Sequence, residues 1–171
     1  MKPQRQTTVY RGRIFDVTLQ GRRLPDGRSI TAEVIRHPGA ALIVPFLTPD
    51  RVIFLRQFRP AINAWLYELP AGTPEKNESF LRCARRELQE ESGYAAARFS
   101  LLGKIVPVPG YSTEVIHIYK AQKLTPSFRQ KDAEEVIETH VLDRRRVRGL
   151  MARGRLIDAK TICALCFCGW L

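Results

Sequence analysis

Three carboxylates near the middle of the chain, Glu87, Glu90 and Glu91, have the spacing of side chains on one face of a helix. Phe80, Ala84 and Leu88 recur every four residues just before them, and Gly93 stands where a helix would end. At 100° per residue the three acids share roughly a 100° arc. Such a cluster opposes the helix dipole, and its i, i+4 members repel each other. A hard divalent cation relieves both effects, because magnesium is held by a few carboxylates together with substrate phosphates. The plain alternative is an acidic face turned to solvent.

The flanking residues decide between these readings. Gly72, Glu78, Arg86, Glu87, Leu88, Glu90, Glu91, Gly93 and Tyr94 fill every defined position of G-x5-E-x7-R-E-U-x-E-E-x-G-U, where U is an aliphatic or aromatic residue. Average residue usage gives a chance match on the order of 10⁻⁸ per chain of this length. The stretch resembles the Nudix box, which implies a magnesium-dependent hydrolase that cuts a diphosphate linked to another group; manganese is the alternative metal. The resemblance makes Glu87 and Glu91 metal ligands, with Glu90 joining them and the backbone carbonyl of Ala71 completing the set, so that a tight Ala-Gly turn is expected before the helix. Glu78 and Arg86, eight residues apart, stack in one column and are expected to pair, with Gly72 and Gly93 as further structural positions.

Several stretches outside the box narrow the likeness to ADP-ribose pyrophosphatases and related nucleoside-diphosphate-sugar hydrolases. These are Val34-Ile-Arg-His-Pro-Gly-Ala-Ala, Arg56-Gln-Phe-Arg-Pro60, Glu68-Leu-Pro-Ala-Gly72, Pro109 with Glu114 after it, and Asp158-Ala-Lys-Thr161. This branch implies that Arg59 contacts the diphosphate, with Arg56 a second choice and Glu114 a further substrate-binding position. In this branch a late loop supplies the base that deprotonates water, and Glu135-Val-Ile-Glu138 resembles its E-x-U-E pattern, which implies Glu135 and leaves Glu90 as the fallback. The expected products from ADP-ribose are AMP and ribose 5-phosphate. The rival readings are hydrolysis of GDP-mannose or UDP-glucose and, from a different class, an RNA-binding or regulatory module without turnover.

The elements that must position these groups follow from patterning. Alternation at Phe15, Val17, Leu19 and at Ile30, Ala32, Val34, around the turn Pro25-Asp26-Gly27, reads as a hairpin. Ala40–Phe46 is continuously apolar, as a strand buried on both faces would be. Val52–Leu55 returns from Thr48-Pro-Asp50, and Trp65–Leu69 leads into the box. Residues 95–106 read as extended with Gly103 interrupting, Glu114–Ala121 as a strand, Ser127–Glu135 as a polar loop and Val136–Leu142 as a strand. Asp143 and Asp158 cap two closing helices. The order suggests α/β, a mixed sheet with helices on both sides, which is also the α/β/α sandwich of the Nudix fold. Residues 1–36 form a small N-terminal β unit, for which the resemblance implies a role in a homodimer, and 37–171 the hydrolase domain.

The 171 residues, 44% hydrophobic, suit an ordinary globular chain with no membrane span and no secretory signal, and four cysteines point to the cytoplasm. Cys163, Cys166 and Cys168 have no second pair for zinc and are expected to be buried packing. The net charge of +11 resides at the ends, +5 in residues 1–36 and +6 in 144–171, around a neutral middle. It steers polyanions, while binding to nucleic acid is expected to be weak or absent. His37, His117 and His140 receive no catalytic role; Trp65, Tyr67 and Tyr111 are expected in the core rather than on a base.

Overall fold

The computed structural model describes residues 5–128 and 136–171. The chain divides into two compact units, residues 1–39 with 106–115, and residues 40–105 with 116–171.

The first unit is a three-stranded antiparallel sheet of β1 (Arg5–Arg11), β2 (Asp16–Arg23) and β3 (Ser29–Arg36), with β2 in the middle. The β2–β3 hairpin follows the alternation of its apolar residues and turns at Gly27, whose φ of 88° only glycine adopts readily. Residues 106–115 join this unit because Ile35 donates its N–H to Tyr111 O at 2.7 Å and accepts from Thr113 N at 3.0 Å. Glu114 therefore belongs here and precedes its expected strand, which starts at Ile116. Tyr111 is exposed, not in the core.

The second unit is built on β4 (Ala40–Thr48). Its other strands are β5 (Arg51–Arg59), β6 (Ala64–Glu68), β7 (Ala71–Gly72), β8 (Tyr94–Ile105), β9 (Ile116–Pro126) and β10 (Ile137–Asp143). They form one mixed sheet in the order β10-β5-β4-β9-β8, with β6 added on β5 and β7 on β4; β4 and β9 run parallel and the other pairs antiparallel. Gly103 marks the register shift in β8. Among the described residues three α-helices cover the sheet: α1 (Phe80–Ser92), α2 (Arg144–Ala152) and α3 (Ala159–Phe167).

The apolar run of β4 explains the layering. Leu42, Val44 and Phe46 pack with Val147 and Leu150 of α2, Ala164 and Leu165 of α3, and Trp170. Ala41 and Ile43 pack instead with Cys83, Ala84 and Leu88 of α1. Alternate residues of one strand thus face different helices, which is the α/β/α sandwich. Ser79 caps α1, Asp143 caps α2 and Asp158 caps α3, each side chain accepting a backbone N–H three residues on. Gly93 ends α1 with φ 78°.

The C-terminal cysteines depart from expectation. Cys166 is exposed, Cys163 and Cys168 are half-buried, and the buried thiol is Cys83. The α3 residues that enter the core are Thr161, Ala164 and Leu165, so Cys163 and Cys166 fall on the helix flank, whereas Cys168, which ends the helix, packs against the core as expected. Among the described residues no helix is long and apolar enough to cross a membrane.

Candidate active site

Arg86, in the middle of α1, organises the first of two charge clusters. Its Nε and Nη2 donate to Oε1 and Oε2 of Glu78 at 3.2 and 3.0 Å, and Nη2 also to Thr73 O at 3.2 Å. Its Nη1 donates to Glu87 Oε1 at 2.8 Å and to Glu90 Oε2 at 2.9 Å. The column of Glu78 and Arg86 read from their spacing is therefore an ion pair that ties the box loop to the helix. Burial works against the Arg86 charge, yet the hydrogen bonds and charges of these carboxylates raise its pKa further. The Arg86 hydrogen bond holds the Glu78 carboxyl below the usual carboxylate range.

The strand β7 supplies the floor of this cluster. Glu91, only 6% exposed, accepts the Ala71 N–H at 2.9 Å through Oε2. Gly72 is glycine for a steric reason: a Cβ there would lie 1.8 Å from Glu87 Oε1. Its φ is not positive, so the expectation of a tight Ala-Gly turn is corrected. Ala71 and Gly72 are extended, paired with Leu42 and Ala41 of β4, and the missing Cβ makes room for Glu87. The Cys83 thiol donates to Gly72 O at 3.4 Å; burial, then the nearby Glu87 charge, push its pKa up to about 12.

The second cluster surrounds Glu68, at the end of β6 and 1% exposed. Arg59 Nε donates to Glu68 Oε1 and Arg59 Nη2 to Glu68 Oε2, both at 2.7 Å. Lys160 Nζ donates to the same Oε2 and, at 2.9 Å, to Asp158 Oδ1. Burial alone would raise the Glu68 pKa, but the Arg59 hydrogen bond and the Lys160 charge hold it below the usual range. Arg59 is shifted up, first by its hydrogen bond to Glu68, with Glu91 and Asp158 contributing at longer range. Thr161 Oγ1 accepts the Leu69 N–H at 2.9 Å, so the start of α3 grips the residues that enter the box.

Some expected site residues lie apart from these clusters. Arg56 donates to Glu138 Oε2 at 3.0 Å across the β5–β10 pair and lies 4.6 Å over the Trp65 ring. Trp65 is 38% exposed, against the expectation of core packing, whereas Tyr67 does pack against the core. Glu114 stands 3.8 Å from His37 within the first unit. Glu135, with Asp132 and Glu134, lies outside the described residues. Glu68 and Lys160 had no role assigned from sequence, and Asp158 only that of a helix cap; Glu68 and Lys160 are 92 residues apart, and the signal that pointed to them was the quoted pair of stretches Glu68–Gly72 and Asp158–Thr161.

Alongside α1 runs an open groove of about 600 Å³ lined by residues that include Glu78, Arg82, Arg86, Glu90 and Phe128. Among the described residues no three acidic, His or Cys side chains stand together as a ready metal cage. The donor chemistry nonetheless fits a hard cation: β7 and α1 bring carboxylate and carbonyl oxygens together, the Cys83 thiol beside them being held protonated, and the space at Gly72 admits Glu87.

A NUDIX domain profile matches residues 36–165, which spans both β7 and the Arg86 cluster. The chain belongs to the Nudix family. It is 29% identical over 159 residues to the ADP-ribose pyrophosphatase of Bacillus subtilis (strain 168), covering 92% of this chain and 86% of that protein. It is 30% identical over 173 residues to the ADP-ribose pyrophosphatase of Escherichia coli O6:H1, covering 92% and 82%. A methanol dehydrogenase activator of Bacillus methanolicus is 28% identical over 159 residues, covering 92% and 86%. A solved ADP compounds hydrolase superposes with a TM-score of 0.81 at 25% identity, over 98% of this chain and 92% of that one. The Nudix box is thus set in a Nudix fold, on a chain that resembles ADP-ribose pyrophosphatases over nearly its whole length.

Proposed function

We propose that this Nudix hydrolase is a magnesium-dependent pyrophosphatase that cleaves the diphosphate of ADP-ribose to AMP and ribose 5-phosphate. The observation that carries the reading is the placing of Glu87 against Gly72 and of Glu91 on the Ala71 N–H, with Glu90 joined to Glu87 through Arg86, in a chain similar to ADP-ribose pyrophosphatases over 92% of its length. Glu87, Glu91, Glu90 and the Ala71 carbonyl would hold the metal. When bound, magnesium neutralises charge on the phosphates and makes water more acidic.

The chain's own residues do the rest. Arg59 meets the diphosphate through its fork of donors, for which lysine is a poor substitute. Arg56, half-buried on the same strand and beside Trp65, is the second substrate-binding choice. Glu114 is the third, on the strength of its place after Pro109. Glu135 accepts the proton of the attacking water; this assignment rests on the match of Glu135-Val-Ile-Glu138 to the family pattern, and Glu90 is its substitute. The first unit exposes Val9, Tyr10, Ile14, Phe15 and Ile30, and this apolar surface supports a homodimer built on the N-terminal sheet. Four unpaired thiols suit the cytoplasm.

The test is a panel of nucleoside diphosphate sugars incubated with magnesium or manganese, with identification of the nucleotide released. AMP from ADP-ribose at the highest kcat/KM supports the reading. Preference for GDP-mannose or UDP-glucose would replace the substrate and keep the chemistry. No turnover of any of them, beside tight RNA binding at physiological salt, would replace the enzyme reading.

A further inference from the structure

An arginine that meets a diphosphate has to be held without being used up, and Arg59 is bonded in a way that does this. Its guanidinium carries five N–H donors in a planar fork. Glu68 engages the edge made of Nε and Nη2 at 2.7 Å on both sides, and among the described residues Nη1 donates to nothing. Two donors on one nitrogen are thereby kept pointing away from Glu68. The rest of the cluster bears on the charge. A carboxylate that is 1% exposed demands full compensation. Arg59 alone would give a neutral pair, with its cation spent on Glu68. Lys160 shares Oε2 from the other side and is itself steadied by Asp158, so Glu68 has a second cation behind it. Asp158 takes part of the Lys160 charge in turn, so the four groups sum to neutral; what Lys160 adds is a second donor on Oε2, and what remains for another anion is the Nη1 edge of Arg59.

Resting on the reading that Arg59 contacts the diphosphate, we propose that Glu68 and Lys160 are positioning residues. Glu68 sets the plane of Arg59 so that Nη1 faces the substrate's diphosphate, and Lys160 compensates Glu68 so that Arg59 remains available. The alternative is that the cluster only fastens α3 to β6. The two differ in coupling. A fastening acts on the fold and adds to the loss of Arg59, whereas a positioning residue acts through Arg59 and has nothing left to do once Arg59 is gone.

The experiment measures binding of methylenediphosphonate, a diphosphate that does not hydrolyse, to the full-length protein in magnesium by calorimetry. The variants are Arg59→Ala, Glu68→Gln, their combination, Lys160→Met and Lys160→Arg, each checked by circular dichroism and melting. Loss of a charge-assisted contact predicts weakening on the order of tenfold for Arg59→Ala and for Glu68→Gln. The double variant is expected to be no weaker than Arg59→Ala. Lys160→Met is expected to weaken binding several-fold and Lys160→Arg to restore most of it, and in turnover the losses fall on KM more than on kcat. Additive losses in the double variant, wild-type affinity in Glu68→Gln, or no binding by the wild type would each overturn the proposal. If Glu68→Gln does not fold, the contrast between Lys160→Met and Lys160→Arg decides, and equal affinities there overturn it. Preference for another nucleoside diphosphate sugar in the panel would change the substrate and leave this coupling standing.

Discussion

Replacing Gly72 by alanine separates the two reasons a glycine can be required. The backbone at Gly72 is ordinary extended strand, so alanine brings no conformational strain. The new Cβ would instead meet Glu87, at 1.8 Å from Oε1, 2.1 Å from Cδ and 2.7 Å from Cγ. Carbon contacts become favourable only near 3.5 Å, so the Glu87 carboxylate has to retreat by at least about 1.5 Å. The retreat breaks its 2.8 Å bond to Arg86. The side chain is flexible and not sealed in, so the stability cost should stay near the low end of overpacking, about 1–2 kcal/mol. For a chain of this size that lowers Tm by roughly 2–8 °C. Activity should suffer far more. Magnesium tolerates little departure from ligand distances of about 2.1 Å, and a 1 Å misplacement near reacting groups costs on the order of 100-fold. The assays are differential scanning fluorimetry and kcat/KM for ADP-ribose. Adding Glu87→Ala to Gly72→Ala should recover part of the Tm while activity stays lost. Gly72→Ala enzyme within about threefold of wild type would refute both the clash and the role given to Glu87.

Three further outcomes are expected. Arg86→Lys cannot reproduce the fork that reaches Glu78, Glu87, Glu90 and Thr73 together, and should cost about 2–3 kcal/mol, read as a fall in urea midpoint with unchanged m. Glu68 and Glu78 both have folded pKa values below their ordinary 4.5, so the stability they contribute is present above pH 4.5 and is lost as pH falls through the folded values. Urea titrations from pH 7 to 3 should show this acid limb, shallower in Glu78→Gln; an unchanged limb would remove Glu78 from the account. Iodoacetamide at pH 8 should label Cys166 quickly and leave Cys83, with its thiol pushed up to about 12, unmodified until the protein unfolds. Mass spectrometry of the digests checks this, and early labelling of Cys83 would contradict its burial.

Local rules made much of the fold readable. The unbroken apolar run of β4 signals burial on both faces, and the structure divides its alternate residues between α1 and the α2–α3 layer. The four-residue spacing before Gly93 marks α1, and the two aspartates mark the starts of α2 and α3. What pattern could not supply was the reason for a residue type or its long-range partner. Gly72 looked like a turn glycine because glycine usually serves backbone freedom, whereas here it yields space to a side chain fifteen residues on. The cysteine trio looked buried because its stretch is apolar, but helical phase directs Cys166 outward. The tie from Glu68 to Lys160 spans 92 residues, and although both stretches stood out by resemblance, neither pattern says that the two side chains meet.

The segment Glu68–Gly72 joins the two charge clusters, and its bonding shows how. Glu68 is held by Arg59 of β5 and by Lys160 of α3, and Leu69 N–H by Thr161 of α3. Pro70 O accepts from Ile43 of β4, Ala71 N–H is taken by Glu91 of α1, and Gly72 O receives the Cys83 thiol. Five consecutive residues are thus gripped in turn by one helix layer, the sheet and the other helix layer. A sandwich has few places where its two helical layers touch one short stretch of backbone, and this stretch is one of them. Carboxylates on α1 and cations on β5 and α3 are thereby set in fixed relation without meeting each other directly. That arrangement suits a diphosphate, which needs a metal face and a cationic face at once, and it makes the β7 backbone the common reference for both.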